Sequence, residues 1–206
     1  MPKCALCVAV ALFCAASQTG CVADHSVDPE SADARSAPKA AASSGIRTLH
    51  QGDNEEVFNM FLREQQIRAE ITPENMNTKI GELLAIDAEN RVRLIEIANA
   101  GMIVSPYDYY RASLMFLHQT EGDAIENMQI AFEYAMTSMR LGCLDAPYTV
   151  ARTYDRMLLT MGRGQRYGTQ FERRGVPKPM HEGIVPMSAA VREQLDVPAE
   201  PTLPSR

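Results

Sequence analysis

The chain has 206 residues, with 20 Lys and Arg against 26 Asp and Glu, five Cys, 12 Met, no Trp and 46% hydrophobic residues. A formal net charge of -6 argues against a dedicated nucleic-acid binder, which would carry a basic footprint for phosphates. The length suits one core. No apolar run beyond the N-terminus approaches the roughly 20 residues of a membrane span, which argues against a polytopic membrane protein.

Residues 1–20 read as an export signal: Lys3 supplies a positive start, Ala5 to Ala16 is apolar, and Ser17 to Gly20 are small or polar. Two processing routes are open. Gln18-Thr19-Gly20-Cys21 resembles a lipoprotein cleavage site that would leave Cys21 as an acylated first residue, and the position of Cys21 just beyond the apolar run favours this route. Cleavage after Cys21-Val22-Ala23 by an ordinary signal peptidase is the other. Either makes the protein a bacterial export, lipid-anchored in the cell envelope facing the periplasm or the outside in the first case, soluble and secreted or periplasmic in the second. Cys4, Cys7 and Cys14 would leave with the signal, so the Cys4-Ala-Leu-Cys7 spacing carries no redox or metal meaning. With Cys21 acylated, Cys143 is the remaining thiol. Residues 21–52, rich in Ala, Ser, Asp and Pro, lack the apolar surface to offset ordering entropy and read as a disordered tether. Residues 197–206 read as a Pro-rich disordered tail.

The intervening stretch, 53–196, is punctuated as a mainly α, compact antiparallel domain. Asp53 with Glu56 has capping-box character before a stripe of Val57, Met60, Phe61 and Ile67. Thr72-Pro73 predicts an N-cap and first-turn proline for a helix reaching Ala100. Its stripe is Met76, Ile80, Leu83, Leu84, Ala88, Val92, Ile95 and Ala98, Gly81 is a possible interruption, and Gly101 closes it. Ser105-Pro106 with Asp108 starts a helix that Gly122 would end. Asp123 with Glu126 starts another, striped by Ile125, Met128, Phe132, Met136 and Met139 and stopped at Gly142. Asp145 with Pro147 starts a third, striped by Val150, Tyr154, Leu158 and Met161 and stopped at Gly162. Short connections make these antiparallel neighbours, and Ala131, Ala135, Ser138 and Gly142 form a small-residue edge for close approach. Arg111 to His118 and Val150 to Met157 lie about 39 residues apart, resembling one and a half units of a tetratricopeptide-like helix-turn-helix array.

After Gly162 the chain is rich in Gly and Pro, and an irregular loop or a short hairpin pairing Gln165–Glu172 with Met180–Val185 is expected, with a short helix from Ser188 to Leu195. Asp155-Arg156 followed by Gln165-Arg166-Tyr167-Gly168-Thr169-Gln170 resembles the signature of an uncharacterised bacterial family, a domain of unknown function, with an Asp-Arg helix before a Gln-x-Tyr-Gly-Thr-Gln loop. The resemblance spans about Leu83 to Leu195 and implies a helical fold without naming a reaction. Leu195-Asp196-Val197 departs from the glycine-like turn expected there.

Two functional readings follow. Glycines, hydroxyls and amides at Gln165, Arg166, Tyr167, Gly168, Thr169 and Gln170, with Asp155 and Arg156 one turn before, could hold a ligand, or could merely satisfy an irregular loop. Arg163, Arg166, Arg173, Arg174 and Lys178 make the region basic, suited to a carboxylate or phosphate or simply solvated. His118 at a helix end could serve as a general base if it met Asp155 or Tyr167. His25, His50 and His181 show no metal-ligand spacing, and no cofactor motif is present. Cys143, with no adjacent His, reads as a buried small residue. The leading expectation is a noncatalytic module that binds a protein or peptide partner in the envelope, attached to the membrane by a lipid anchor and not contacting nucleic acid. The alternative is a small hydrolase or ligand-binding enzyme with candidate catalytic residues His118, Asp155 and Tyr167.

Overall fold

In the computed structural model, residues 43–119, 122–171, 178 and 187–197 are described. They form α1 (Ser43–Ile46), α2 (Glu55–Glu70), α3 (Met76–Asn99), α4 (Pro106–Leu117), α5 (Ala124–Arg140), α6 (Ala146–Thr160) and α7 (Ala189–Gln194), with no strand among the described residues. Successive helices run antiparallel: α2 begins beside the end of α3, where Asn54 Nδ2 donates to Met102 O at 3.1 Å. Helix α2 packs on α3 and α4, α4 also on α3, α5 and α6, and α5 on α6. Helices α2 and α4 thus each meet the next helix and the next but one, the tetratricopeptide-like packing expected of this helical array. Central α4 is embraced by neighbours, so Arg111 through His118 are all buried, as a helix covered on every side must be.

Helix ends follow local chemistry with some reassignments. Ser105 and Asp108 form a reciprocal capping box, and Asp123 accepts from the N–H groups of Ile125 and Glu126. Gly101, Gly142 and Gly162 close helices with backbone bonds such as Met102 N to Ile97 O, Cys143 N to Ser138 O and Arg163 N to Leu158 O. At α2, however, Asn54 and not Asp53 is the N-cap, because Asp53 is claimed by Arg111 (2.7 Å). At α3 the Thr72-Pro73 start is replaced by a turn with N-cap Asn75: the Asn75 side chain accepts from Thr72 N and donates to Glu70 O, both at 2.8 Å, and so closes the α2–α3 connection. Gly81 leaves α3 unbroken. Helix α4 stops with His118 as C-cap, short of Gly122.

The boundary expected at 52/53 moves toward the N-terminus. Ile46 enters the main core with Val57, Phe61, Leu94, Ile97 and Phe116, and residues 45–53 are held by Arg111, a fully buried guanidinium that donates to Ile46 O (3.1 Å), Thr48 O (2.6 Å) and Asp53 Oδ2 (2.7 Å). It lies 4.8 Å from the Phe58 ring centroid, while His50 stacks on Tyr107 at 4.2 Å. A segment with few apolar residues is therefore ordered through its carbonyls, which a composition argument does not register. At Gly45 an added Cβ would sit 2.6 Å from the Tyr107 hydroxyl, so the close approach needs glycine.

The expected stripe on α3 is only partly the buried one. Val92 is exposed, whereas Leu83, Ile86, Asp87, Asn90, Leu94 and Ile97 face the core; two polar members disguise the period. Of the small-residue edge, Ala131, Ala135 and Ser138 on α5 are buried and Gly142 beyond it is exposed, and Ser138 Oγ donates to Pro106 O at 2.7 Å, bringing α4 and α5 close. The proposed hairpin strand at 180–185 and most of its turn lie outside the described residues, as do residues 1–42 and 198–206.

Candidate functional site

Asp155 sits on α6, entirely buried, and points into the loop that follows. Its Oδ1 accepts from Arg166 N (2.5 Å) and Tyr167 N (2.7 Å), and its Oδ2 from Thr169 N (2.9 Å) and Thr169 Oγ1 (2.8 Å). All four acceptor positions of the carboxylate are used. Gly168, with φ of 76°, makes the bend that turns successive N–H groups toward one anion. Gln165, also fully buried, does the complementary work: Nε2 donates to Gln170 O (2.9 Å) and Lys178 O (2.7 Å), and Oε1 accepts from Gln170 N (2.8 Å). Gln170 Nε2 reaches Arg152 O at 3.4 Å. Tyr167 is half-buried with its ring edge-on to Tyr154, 5.7 Å between centroids, and burial pushes its hydroxyl above the usual tyrosine range. Arg156 is buried and Arg166 half-buried. The loop is thus a self-contained knot whose polar groups replace the ladder bonds an irregular segment lacks. A general base needs a lone pair turned toward substrate, and Asp155 has spent its own on the chain.

His118 joins a different group. Its Nδ1 lies 2.7 Å from Glu64 Oε1 of α2. Arg68 donates to Glu64 Oε1 from Nε (2.9 Å) and from Nη2 to both Asp87 oxygens (2.9 and 2.8 Å), and Gln65 Nε2 donates to Glu64 Oε2 at 3.0 Å. All of these side chains are buried. Burial alone would push Glu64 up, but the charges of His118 and Arg68 outweigh it and hold this carboxyl at about 2. Asp87 is pushed up to about 6 by burial, which the Arg68 charge offsets only in part and the nearby Glu64 charge reinforces. Two carboxylates share one obligate cation, with the His118 imidazole set against Glu64.

The structure therefore brings Asp155, Gln165, Arg166, Tyr167, Gly168, Thr169 and Gln170 together and places His118 in a separate cluster. Sequence reasoning missed Glu64, Arg68 and Asp87. The signal was present as polar residues at core spacing: Phe61, Glu64 and Arg68 on α2, and Leu83, Asp87, Asn90 and Leu94 on α3. Cys143 is a free, buried thiol that burial pushes above the ordinary thiol range, the condition of an inert cysteine. Arg173, Arg174 and His181 lie outside the described residues, and no group of His, Cys, Asp or Glu with metal-holding geometry occurs among the described ones. No described helix is long and apolar enough to cross a membrane.

On the surface, a shallow groove of about 340 Å³ runs between α2 and α3, lined by buried Ile67 and Ile86, exposed Ala85, and the polar or charged Arg63, Gln66, Glu82 and Glu89. Both charge signs line it, and Arg63 already bridges to Glu89 at 2.9 Å. Comparison of the chain with known protein families, with curated proteins and with solved structures gives no significant match.

Proposed function

We propose that this is an exported, lipid-anchored bacterial envelope protein whose helical domain binds a protein or peptide partner without catalysing a reaction. The observation that carries this reading is the commitment of the groups best suited to chemistry: Asp155 and Gln165 are saturated by their own loop, and His118 is locked on Glu64 inside the core. A tetratricopeptide-like array with a mixed-charge groove between α2 and α3 supports capture of an extended polar segment, for which apolar and charged lining residues give register and specificity.

The test places a photo-crosslinking amino acid at Ala85, an exposed residue of the groove lining, in the full-length protein expressed in a bacterial host of the inferred type. One discrete adduct that disappears with Glu82→Lys and Glu89→Lys supports the groove as the binding surface. Absence of any adduct at Ala85, combined with an enzymatic activity that Asp155→Asn abolishes without altering the circular dichroism spectrum, would favour a catalytic protein instead. Labelled palmitate incorporated by the wild type and lost in Cys21→Ser supports the anchor.

A further inference from the structure

Five of the ten large exposed apolar side chains among the described residues lie at one end of the array, against Ile125, Met161 and Phe171 toward the other. Leu144 is 89% exposed, Val104 60%, Leu141 49%, Leu49 45% and Met102 42%. Three loops carry them: the segment before α2, the α3–α4 connection and the α5–α6 turn. These loops converge around the start of α4. Asn54 Nδ2 donates to Met102 O, Ser138 Oγ donates to Pro106 O, and a Cβ at Gly45 would come within 3.2 Å of Asp145 Oδ2. The same end receives the chain from the N-terminus, because Arg111 fastens Ile46 and Thr48 there. The saturated polar loop that follows α6 and the start of α5 lie at the opposite end.

We infer that this apolar end is a docking surface for the lipid bilayer to which the chain is anchored, so that the domain stands end-on against the membrane. The inference rests on the lipid-anchor reading above and goes beyond it by fixing the orientation. Ser43 follows Cys21 by 22 positions, a stretch that spans at most about 75 Å even when fully extended. An anchor that close holds the end of entry near the bilayer at a high effective concentration, so a modest apolar surface suffices to dock. Exposed charges of both signs rim this end. Arg47 and Arg140 are exposed beside Leu49 and Leu141, in the arrangement by which basic side chains meet anionic headgroups while apolar neighbours enter the interface. Of the carboxylates at this end, Asp53 turns inward to Arg111 and Asp108 to Asn54 N at 2.9 Å, while Glu55 and Glu56 on the first turn of α2 are exposed. The apolar residues stand on loop tips and not along a helix face, which suits a soft interface better than the matched ridges of a second copy.

The processed, lipidated full-length protein is placed in phosphatidylethanolamine/phosphatidylglycerol vesicles with a bimane label at Leu144→Cys or Val104→Cys, and at Ile125→Cys at the far end as reference. Docking predicts a blue-shifted emission at the first two positions, at least twofold quenched by brominated lipid, and neither change at Ile125. Equal, water-like emission at all three positions, with palmitate incorporation intact, overturns the orientation while leaving the anchor. Loss of palmitate incorporation overturns both. A blue shift that grows with protein concentration and ignores brominated lipid overturns the bilayer in favour of a second copy of the chain.

Discussion

Two buried arginines divide the architecture between them, and they solve the same desolvation problem in different ways. Arg111 spreads its guanidinium over two backbone carbonyls and one carboxylate. Its partner Asp53 is raised by burial yet held below the usual range by hydrogen bonds from Ser105, Arg111 and the His50 backbone. Arg68 is shared between two carboxylates, one of which sits against an imidazole. The first arrangement is a staple for an incoming segment. The second ties α2, α3 and α4 together. Solvation explains the difference: carbonyls offer partial charge without the cost of a buried ion, whereas each added carboxylate must be matched.

The sharpest way to break this comparison is to remove each arginine. Arg68→Ala leaves Glu64 and Asp87 buried without their cation, and a loss of about 3–5 kcal/mol of global stability is expected by urea unfolding. Arg111→Ala should cost somewhat less, about 2–4 kcal/mol, and should be local first: hydrogen exchange at residues 45–53 rises before that of α5 and α6. Equal, global loss of protection in both variants would erase the distinction between staple and tie. A third removal probes the knot after α6. Asp155→Ala orphans three N–H groups, one of them buried, with an expected cost of about 2–4 kcal/mol. The amides of Arg166, Tyr167 and Thr169 should exchange fastest, and no change there would show that the loop is held by something other than the carboxylate.

Acidity sharpens the contrast further. Asp87 has a folded value near 6 against an ordinary 3.8, so the folded chain keeps a proton that the unfolded chain has released. The stability this gives is full below about pH 4 and falls as pH rises through 6. Glu64 has the opposite sign: held at about 2 against an ordinary 4.5, it contributes stability that is present above about pH 4.5 and is lost as pH falls toward 2. Together they set a maximum near pH 4 to 5, with a decline of order 1–3 kcal/mol on going to pH 7. Chemical unfolding across pH 3 to 8 measures it. Asp87→Asn should flatten the upper limb and leave the lower one, whereas a single maximum above pH 7 would show that burial does not hold the Asp87 proton in the fold.

How much of this could be read from the chain follows from which interactions leave a periodic trace. Ser105, Asp123 and the glycines at 101, 142 and 162 act on bonds within one turn, so residue type alone places most helix ends. The loop from Gln165 to Gln170 was recognisable as a polar constellation, and Asp155 as its companion, because they are close in sequence. What could not be read was the pairing at long range. Arg111 reaches back more than 50 residues to Asp53, so Asp53 looked like a cap and residues 45–52 like tether. Glu64, Asp87 and His118 come from three helices, and each alone resembles a solvated residue. The stripe on α3 was misread for the same reason: Asp87 and Asn90 occupy core positions that an apolar template skips.

The smallest effect concerns the turn after α7. Asp196 takes φ of 51°, in the left-handed region where side chains other than glycine are strained. Its place is nevertheless that of a helix-closing glycine, since Val197 N donates to Arg192 O at 3.0 Å. Val197 and Leu195 are buried beside Ala135 and Val150, so the turn is what returns the chain onto α5 and α6. Asp196→Gly should therefore relieve strain and stabilise the domain by up to about 1 kcal/mol, less what is lost to added freedom in the unfolded chain. Asp196→Val should cost more than 1 kcal/mol, because a β-branched side chain tolerates that conformation least. If thermal unfolding ranks the three residues in any other order, backbone strain does not govern this turn, and docking of Leu195 and Val197 alone must hold it.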